Sequence, residues 1–245
     1  MADYQTIRAG AGVRTAEIDE GLRAHMNKVY STMSVGMLLT FAVAWAVGTS
    51  PALLSVFRDP MTLQPNLLGW IIMFAPLLFV FGFMAGINKM SAATAQTVFY
   101  AFAAVMGLSI SWIFAAFTGI SIAQVFLVTS IAFAGLSLYG YTTKKDLSAW
   151  GTFLMMGLIG VIVAMVINLF IASSALAFAI SVIGVLVFAG LTAFDTQNIK
   201  NTYIQMATAG DQEWLGKAAI MGALSLYLNF INMFMLLLSL FGQRE

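Results

Sequence analysis

No cysteine occurs in the 245 residues, which excludes disulfides, thiolate metal sites and cysteine chemistry and leaves the redox compartment open. Charge is almost as scarce, at 9% Asp, Glu, Lys and Arg against roughly 25% in soluble domains. The formal net charge of +1 lacks the basic excess that nucleic acid demands, so no nucleic-acid partner is expected. A single histidine, His25, leaves little for a metal or a catalytic triad. There is no HExxH, no GxSxG, no phosphate-binding glycine loop and no acid pair spaced for hydrolysis. Enzyme activity and a bound cofactor are therefore not expected.

What is present is apolar: 61% of the chain is hydrophobic, more than a soluble fold of this size can bury. The excess must face lipid. A bilayer span takes about 20 mostly apolar residues, so seven spans use roughly 140 and leave short loops and two tails. Hydropathy and turn residues place the spans at Val29–Val47, Leu67–Gly86, Thr97–Phe117, Ile122–Tyr141, Gly151–Ile171, Ala175–Phe194 and Ala218–Phe241. The expected fold is all-α, a polytopic seven-helix transmembrane bundle. It has a tail over 1–28, a membrane domain over 29–241 and a short C-terminal tail over 242–245. Between the fifth and sixth spans stands little more than Ala172-Ser173-Ser174, the mark of a tight helical hairpin. The stretch from Asn198 to Lys217 reads as the longest polar loop after the N-tail.

Alternation of seven spans puts Arg8, Arg14, Arg23, Lys28, Lys89, Lys144, Lys145, Lys200 and Lys217 on one side and only Arg58 and Arg244 on the other. By the positive-inside rule the N-tail is expected in the cytoplasm and the C-terminus on the far side of a cell membrane. The N-tail lacks the basic start, apolar core and cleavage site of a signal peptide, so the first span itself is expected to direct insertion. Thr15 reads as an N-cap, with Glu17, Asp19 and Glu20 in the first turn of a helix that lies on the cytoplasmic surface. His25 within it reads as a solvated histidine, with pH sensing as the alternative.

Polar residues inside a span carry the functional signal, because lipid makes them costly. Asp195 is the one carboxylate that touches a span, within Thr192-Ala193-Phe194-Asp195-Thr196-Gln197-Asn198. Thr192, Asp195, Thr196 and Asn198 fall near one helical face. Asp195 reads either as an interfacial group that caps or pairs with Lys200, or as part of an ion path. In the last span Ser225, Asn229 and Asn232 follow i, i+4, i+7 spacing and share a face. They are either interhelical glue or the lining of a polar pathway, and either way must point into the bundle. Asn168 is a further candidate for that lining. Gly82-Phe83-Met84-Ala85-Gly86 offers a GxxxG for close packing, and the sixteen methionines read as packing residues. No dedicated metal site is expected, only weak calcium binding at Asp195.

Several of these segments resemble one family. Thr142-Thr143-Lys144-Lys145-Asp146-Leu147-Ser148, the following span that ends Val166-Ile167-Asn168-Leu169-Phe170, Ala193-Phe194-Asp195-Thr196-Gln197, and Leu226-Tyr227-Leu228-Asn229-Phe230-Ile231-Asn232 are similar, in order and spacing, to the Bax inhibitor family, also called transmembrane Bax inhibitor motif proteins. Gly21-Leu22-Arg23-Ala24-His25-Met26 is similar to its bacterial members. The resemblance implies a seven-helix bundle that acts as a passive, pH-sensitive leak for cations, calcium above all. In bacteria it also implies association with an FtsH-type membrane protease. The family's leak is attributed to two aspartates, on the sixth and seventh helices, that share a proton. Asp195 matches the first. The second position holds Asn229, which cannot ionise, and leaves room for a hydrogen bond between the two. The arginine that some members carry in the second span is absent, since that span has no ionisable residue before Lys89. A cation leak and a non-conducting regulator of a membrane protease are thus both open. What separates them first is whether Asp195 and Asn229 face each other beside a polar cavity.

Overall fold

A computed structural model describes the backbone of residues 2–59, 61–207 and 211–244, with side chains from residue 18 onward. The described residues form helices α1 (Ala2–Gly48), α2 (Pro51–Leu54), α3 (Leu67–Gly86), α4 (Ala92–Ile110), α5 (Ile113–Ala116), α6 (Gly119–Thr142), α7 (Ser148–Ile171), α8 (Ser174–Met206) and α9 (Gln212–Phe241). A 3₁₀ turn, Ile87–Lys89, extends α3. Seven segments are long and apolar enough to cross a bilayer: Ile18–Gly48, Leu67–Lys89, Ala92–Ala116, Gly119–Thr142, Ser148–Ile171, Ser174–Met206 and Gln212–Phe241. The seven-span reading holds. The chain is an integral membrane protein.

Boundaries differ where polar residues continue a helix past the lipid. The loop expected from Asn198 to Lys217 is mostly helix, because α8 runs on to Met206 and α9 starts at Gln212. No glycine or proline interrupts Asp195 to Ala207, and Ile199 in that extension is buried. Asp211 caps the start of α9 by accepting from the Trp214 N–H at 2.9 Å. At the other end of the chain, α1 begins at Ala2, so Thr15 lies inside a helix and does not start one. The side chains of Arg8, Arg14, Thr15 and Glu17 lie outside the described residues. The third span breaks at Ser111-Trp112, where the Ser111 hydroxyl and N–H both turn back to the Leu108 carbonyl.

Helix α9 is the axis of the bundle. Its most apolar window is 61% buried within the protein, whereas no other span exceeds 39%. It packs against α1, α4, α6 and α8. Its apolar run does not turn it toward lipid: Met233, Phe234, Leu236 and Leu238 all lie in the core. One polar knot ties the axis to its neighbours. The fully buried Tyr227 hydroxyl meets Thr40 Oγ1 at 2.6 Å, and Thr40 also donates to the Ala103 carbonyl at 2.8 Å. This satisfies each polar group in a region where water is not on hand to do so. By contrast α3 and α7 are 17% and 11% buried and present large apolar side chains outward, as lipid-facing helices do. Gly82 of the GxxxG faces open space, so the motif forms no packing seam within the bundle.

The two ends of the bundle differ in charge. Lys28, Lys89, Lys144, Lys145, Lys200 and Lys217 fall at one end. Arg58 and Arg244 fall at the other, where Arg58 lies over the Trp112 ring and Arg244 over Phe117. Here the residues just after α9 are tied back. Gln243 accepts from the Thr118 N–H at 3.0 Å and donates its own N–H to Ser121 Oγ at 2.9 Å. Arg58 also donates to the Leu63 carbonyl at 2.7 Å, and burial holds its guanidinium below the usual arginine range.

Candidate functional site

At the lysine end, four segments converge on a cavity of about 220 Å³. Helix α1 contributes His25 and the 3₁₀ turn contributes Asn88. From α8 come Asp195, Asn198 and Thr202, a face repeated every three to four residues that exists only because α8 continues past the apolar run. From α9 come Trp214, Lys217, Met221 and Ser225, likewise on one side of the helix. The floor is a single contact between the two best-packed helices. Asn229 Nδ2 donates to Asp195 Oδ2 at 2.7 Å, and Asn229 is itself 5% exposed.

That bond answers the first question posed by the sequence. Asp195 and Asn229 do face each other beside a polar cavity. Asp195 does not pair with Lys200, whose ammonium instead donates to the Tyr141 carbonyl at 2.7 Å and lies over the Tyr141 ring. Since no buried side-chain oxygen or nitrogen among the described residues lacks a partner, the Oδ1 of Asp195, which takes no hydrogen bond there, is reached from the cavity.

The other candidates divide. Ser225 lines the cavity. Asn232, one turn beyond Asn229, donates to the Leu228 carbonyl of its own helix at 2.8 Å and does not line it. Thr192 is fully buried, donates to the Phe188 carbonyl at 2.8 Å and lies off the cavity. Thr196, placed by spacing on the same face as Asp195, turns toward α6, where its hydroxyl meets Ser137 at 3.0 Å. Ser137 in turn bonds Tyr30 of α1, so a chain of hydroxyls braces three helices on the far side of α8. Asn168 stands at the other end of the bundle, where its Oδ1 accepts from the Ser173 N–H at 3.0 Å and closes the α7–α8 hairpin. There Ala172 takes the left-handed conformation at φ 52°.

His25 departs most from its expected setting. It is 7% exposed, its ring tilted at 36° to that of Tyr203 of the α8 extension with 4.9 Å between centroids, and it is not a solvated surface histidine. The sequence pointed to neither this pairing nor Trp214 and Lys217, because all three depend on the α8 extension and the early start of α9. Gln197 was also missed. It clamps the loop between α6 and α7, accepting from the Leu147 N–H and donating to the Lys145 carbonyl, both at 2.8 Å. In that loop, two hydrogen bonds from Ser148 hold the Asp146 carboxyl below the usual carboxylate range.

Comparison with known proteins places the same chain by an independent route. Residues 22–245 match the family described as inhibitor of apoptosis-promoting Bax1. An uncharacterized protein of Rickettsia prowazekii is 44% identical over the full length of both chains. A second, from Caulobacter vibrioides, is 43% identical over 92% of this chain and 90% of its own. The inner membrane protein YbhL of Escherichia coli is 46% identical over 92% of this chain and 94% of its own.

Proposed function

The chain belongs to the Bax inhibitor family, and from that membership we propose that it is a passive cation leak, with calcium the foremost cation and Asp195 the group that receives it. The observation that carries the reading is the Asp195 carboxylate at the floor of an open polar cavity, fixed from behind by Asn229. A carboxylate already oriented by a neutral amide needs little reordering to receive an entering cation, and its second oxygen is free on the cavity side. Among the described residues no three His, Cys, Asp or Glu side chains converge. A calcium ion at Asp195 would therefore be held by one carboxylate and neutral oxygens, which suits transit better than tight capture.

The path beyond the floor is shut. Past Asn229, α9 carries buried Phe230, Ile231, Met233 and Phe234, and no buried side-chain oxygen or nitrogen among the described residues is left without a partner. The structure thus corresponds, on this proposal, to the closed form. Calcium-dye flux into liposomes that hold the purified protein should exceed that of empty liposomes. Asp195→Ala should lower it at least about fivefold, because removal of a charge at a mouth removes both attraction and a ligand. Equal flux for the two proteins would sink the reading.

The second reading, a non-conducting regulator that binds an FtsH-type membrane protease, draws on Asn229. The resemblance attributes the leak to two acids that share a proton, and with Asn229 in the second place this site lacks that titrating pair. Robust protease binding without flux in either protein would favour it. pH modulation of the leak belongs to the same proposal and is taken up in the Discussion.

The lysine end is taken as the cytoplasmic end of a cell inner membrane, from the charge asymmetry and from the relative named as an inner membrane protein. A reporter active only in the cytoplasm should be silent when fused after residue 245 and active when fused before residue 1. The reverse pattern would overturn the orientation.

A further inference from the structure

We propose that the lysine-end cavity binds a small free zwitterion of the α-amino-acid type, its ammonium group on Asp195 and its carboxylate on Lys217. The inference rests on the reading that this cavity is the functional site, and it adds a ligand to it.

The cavity wall carries both signs of charge. Asp195 alone serves a bare cation and leaves Lys217 without a role, and a site for anions would be opposed by Asp195. A dipolar ligand answers both. Neither charge is spent within the protein: Asp195 offers Oδ1, and the Lys217 ammonium has no hydrogen-bond partner among the described residues. The side chains of Asn88, Asn198, Thr202 and Ser225 line the same space and likewise make no hydrogen bond among the described residues. Six side chains of both charge signs and of neutral polar type thus keep hydrogen-bonding capacity that opens on the cavity and is available to a polar ligand. Trp214, Ile199 and Met221 give it an apolar flank for a short side chain. At about 220 Å³ the cavity is smaller than the roughly 300–1,000 Å³ that drug-sized ligands fill, which limits the ligand to a few heavy atoms beyond its charged ends. Asn229 holds Asp195 in place before the ligand arrives, so little ordering is needed on binding.

Calorimetric titration of the full chain in lipid nanodiscs, with each common α-amino acid, tests this. At least one small free amino acid should bind saturably. Its N-acetyl derivative, which lacks the ammonium group, and its methyl ester, which lacks the carboxylate, should each bind about ten- to a hundredfold more weakly, the effect of one charge-assisted hydrogen bond. Lys217→Met should bind the free acid and the ester equally, while Asp195→Asn should lose both. Because the derivatives are compared on the unaltered protein, a variant that fails to fold does not blunt the test. Absence of binding by every free amino acid, or equal binding of acid, ester and N-acetyl compound, overturns the proposal. Leak without such binding removes this inference and leaves the leak standing. Binding without leak does the opposite.

Discussion

Asn229→Asp should convert a leak that is nearly flat in pH into one that rises steeply between about pH 6 and pH 8, by up to about tenfold per unit, the limit for release of one proton. The reason lies in the 2.7 Å contact between Asn229 Nδ2 and Asp195 Oδ2. An amide donates to a carboxylate at that distance whatever the pH. Two carboxyl groups in the same place cannot both ionise cheaply, so at low pH they share a proton and one of them donates to the other. The shared proton reproduces the present closed contact. Its loss at higher pH sets two like charges against each other across the α8–α9 interface and forces them apart, which opens the floor of the cavity. The parent, with no second acid at the contact, lacks this switch. The groups that face Asp195 from the neighbouring elements are His25 of α1 and Lys217 of α9, which line the same cavity, so the comparison requires both variants to keep these residues. Calcium-dye flux in liposomes stepped through the pH range, parent and Asn229→Asp in parallel, reads the outcome. Equally steep profiles would place the switch elsewhere.

The contrast between Asp195 and its surroundings marks how far the sequence could be read. Seven apolar runs, the tight α7–α8 hairpin and a central last helix follow from hydropathy and from amides that lipid will not tolerate. The Asp195–Asn229 contact follows from one resemblance and one unpaired carboxylate. The walls of the cavity do not follow, because they are built outside the lipid, where hydropathy is silent. Asn198, Lys200 and Asn201 look like loop residues when apolar character is the only guide. In the structure they belong to a helix on which Asn198 lines the cavity, Lys200 and Asn201 are half-buried, Ile199 packs against Gly222 of α9 and Tyr203 against His25 of α1. An uninterrupted stretch without glycine or proline from Asp195 to Ala207 was the available signal, and helix periodicity around Ile199 and Tyr203 would have brought His25 into view. Thr192 and Thr196 mislead for a different reason. Hydroxyls can satisfy themselves on the carbonyl one turn back, so spacing alone does not show whether they line a path.

Gly140→Val should abolish most folded protein, whereas Gly82→Val should be nearly silent. Both glycines lie within apolar spans and neither has unusual backbone angles to protect, so any difference comes from what surrounds them. A Cβ at Gly140 would overlap the Ala193 carbonyl oxygen and lie 2.9 Å from its carbon and 3.0 Å from its Cα. All three are backbone atoms of α8, with no flexible side chain to swing away. Relief requires α6 and α8 to part. Small residues permit such close approach of membrane helices, and their loss removes the packing that holds helices together when no hydrophobic drive between them exists. Separation would also stretch the Ser137–Thr196 hydroxyl contact and shift Asp195, two residues along from Ala193. Ordinary overpacking costs about 1–3 kcal/mol. A backbone clash with no soft partner belongs at or beyond the upper end, a large share of the roughly 5–15 kcal/mol that keeps a protein folded. At Gly82 nothing lies within 4 Å, and the added methyl groups meet lipid. Monodisperse yield after detergent extraction, with the thermal unfolding midpoint by size exclusion, compares the two. Similar midpoints for both variants would mean that α6 and α8 do not touch at Gly140 and that the geometry of the Asp195 helix is set elsewhere.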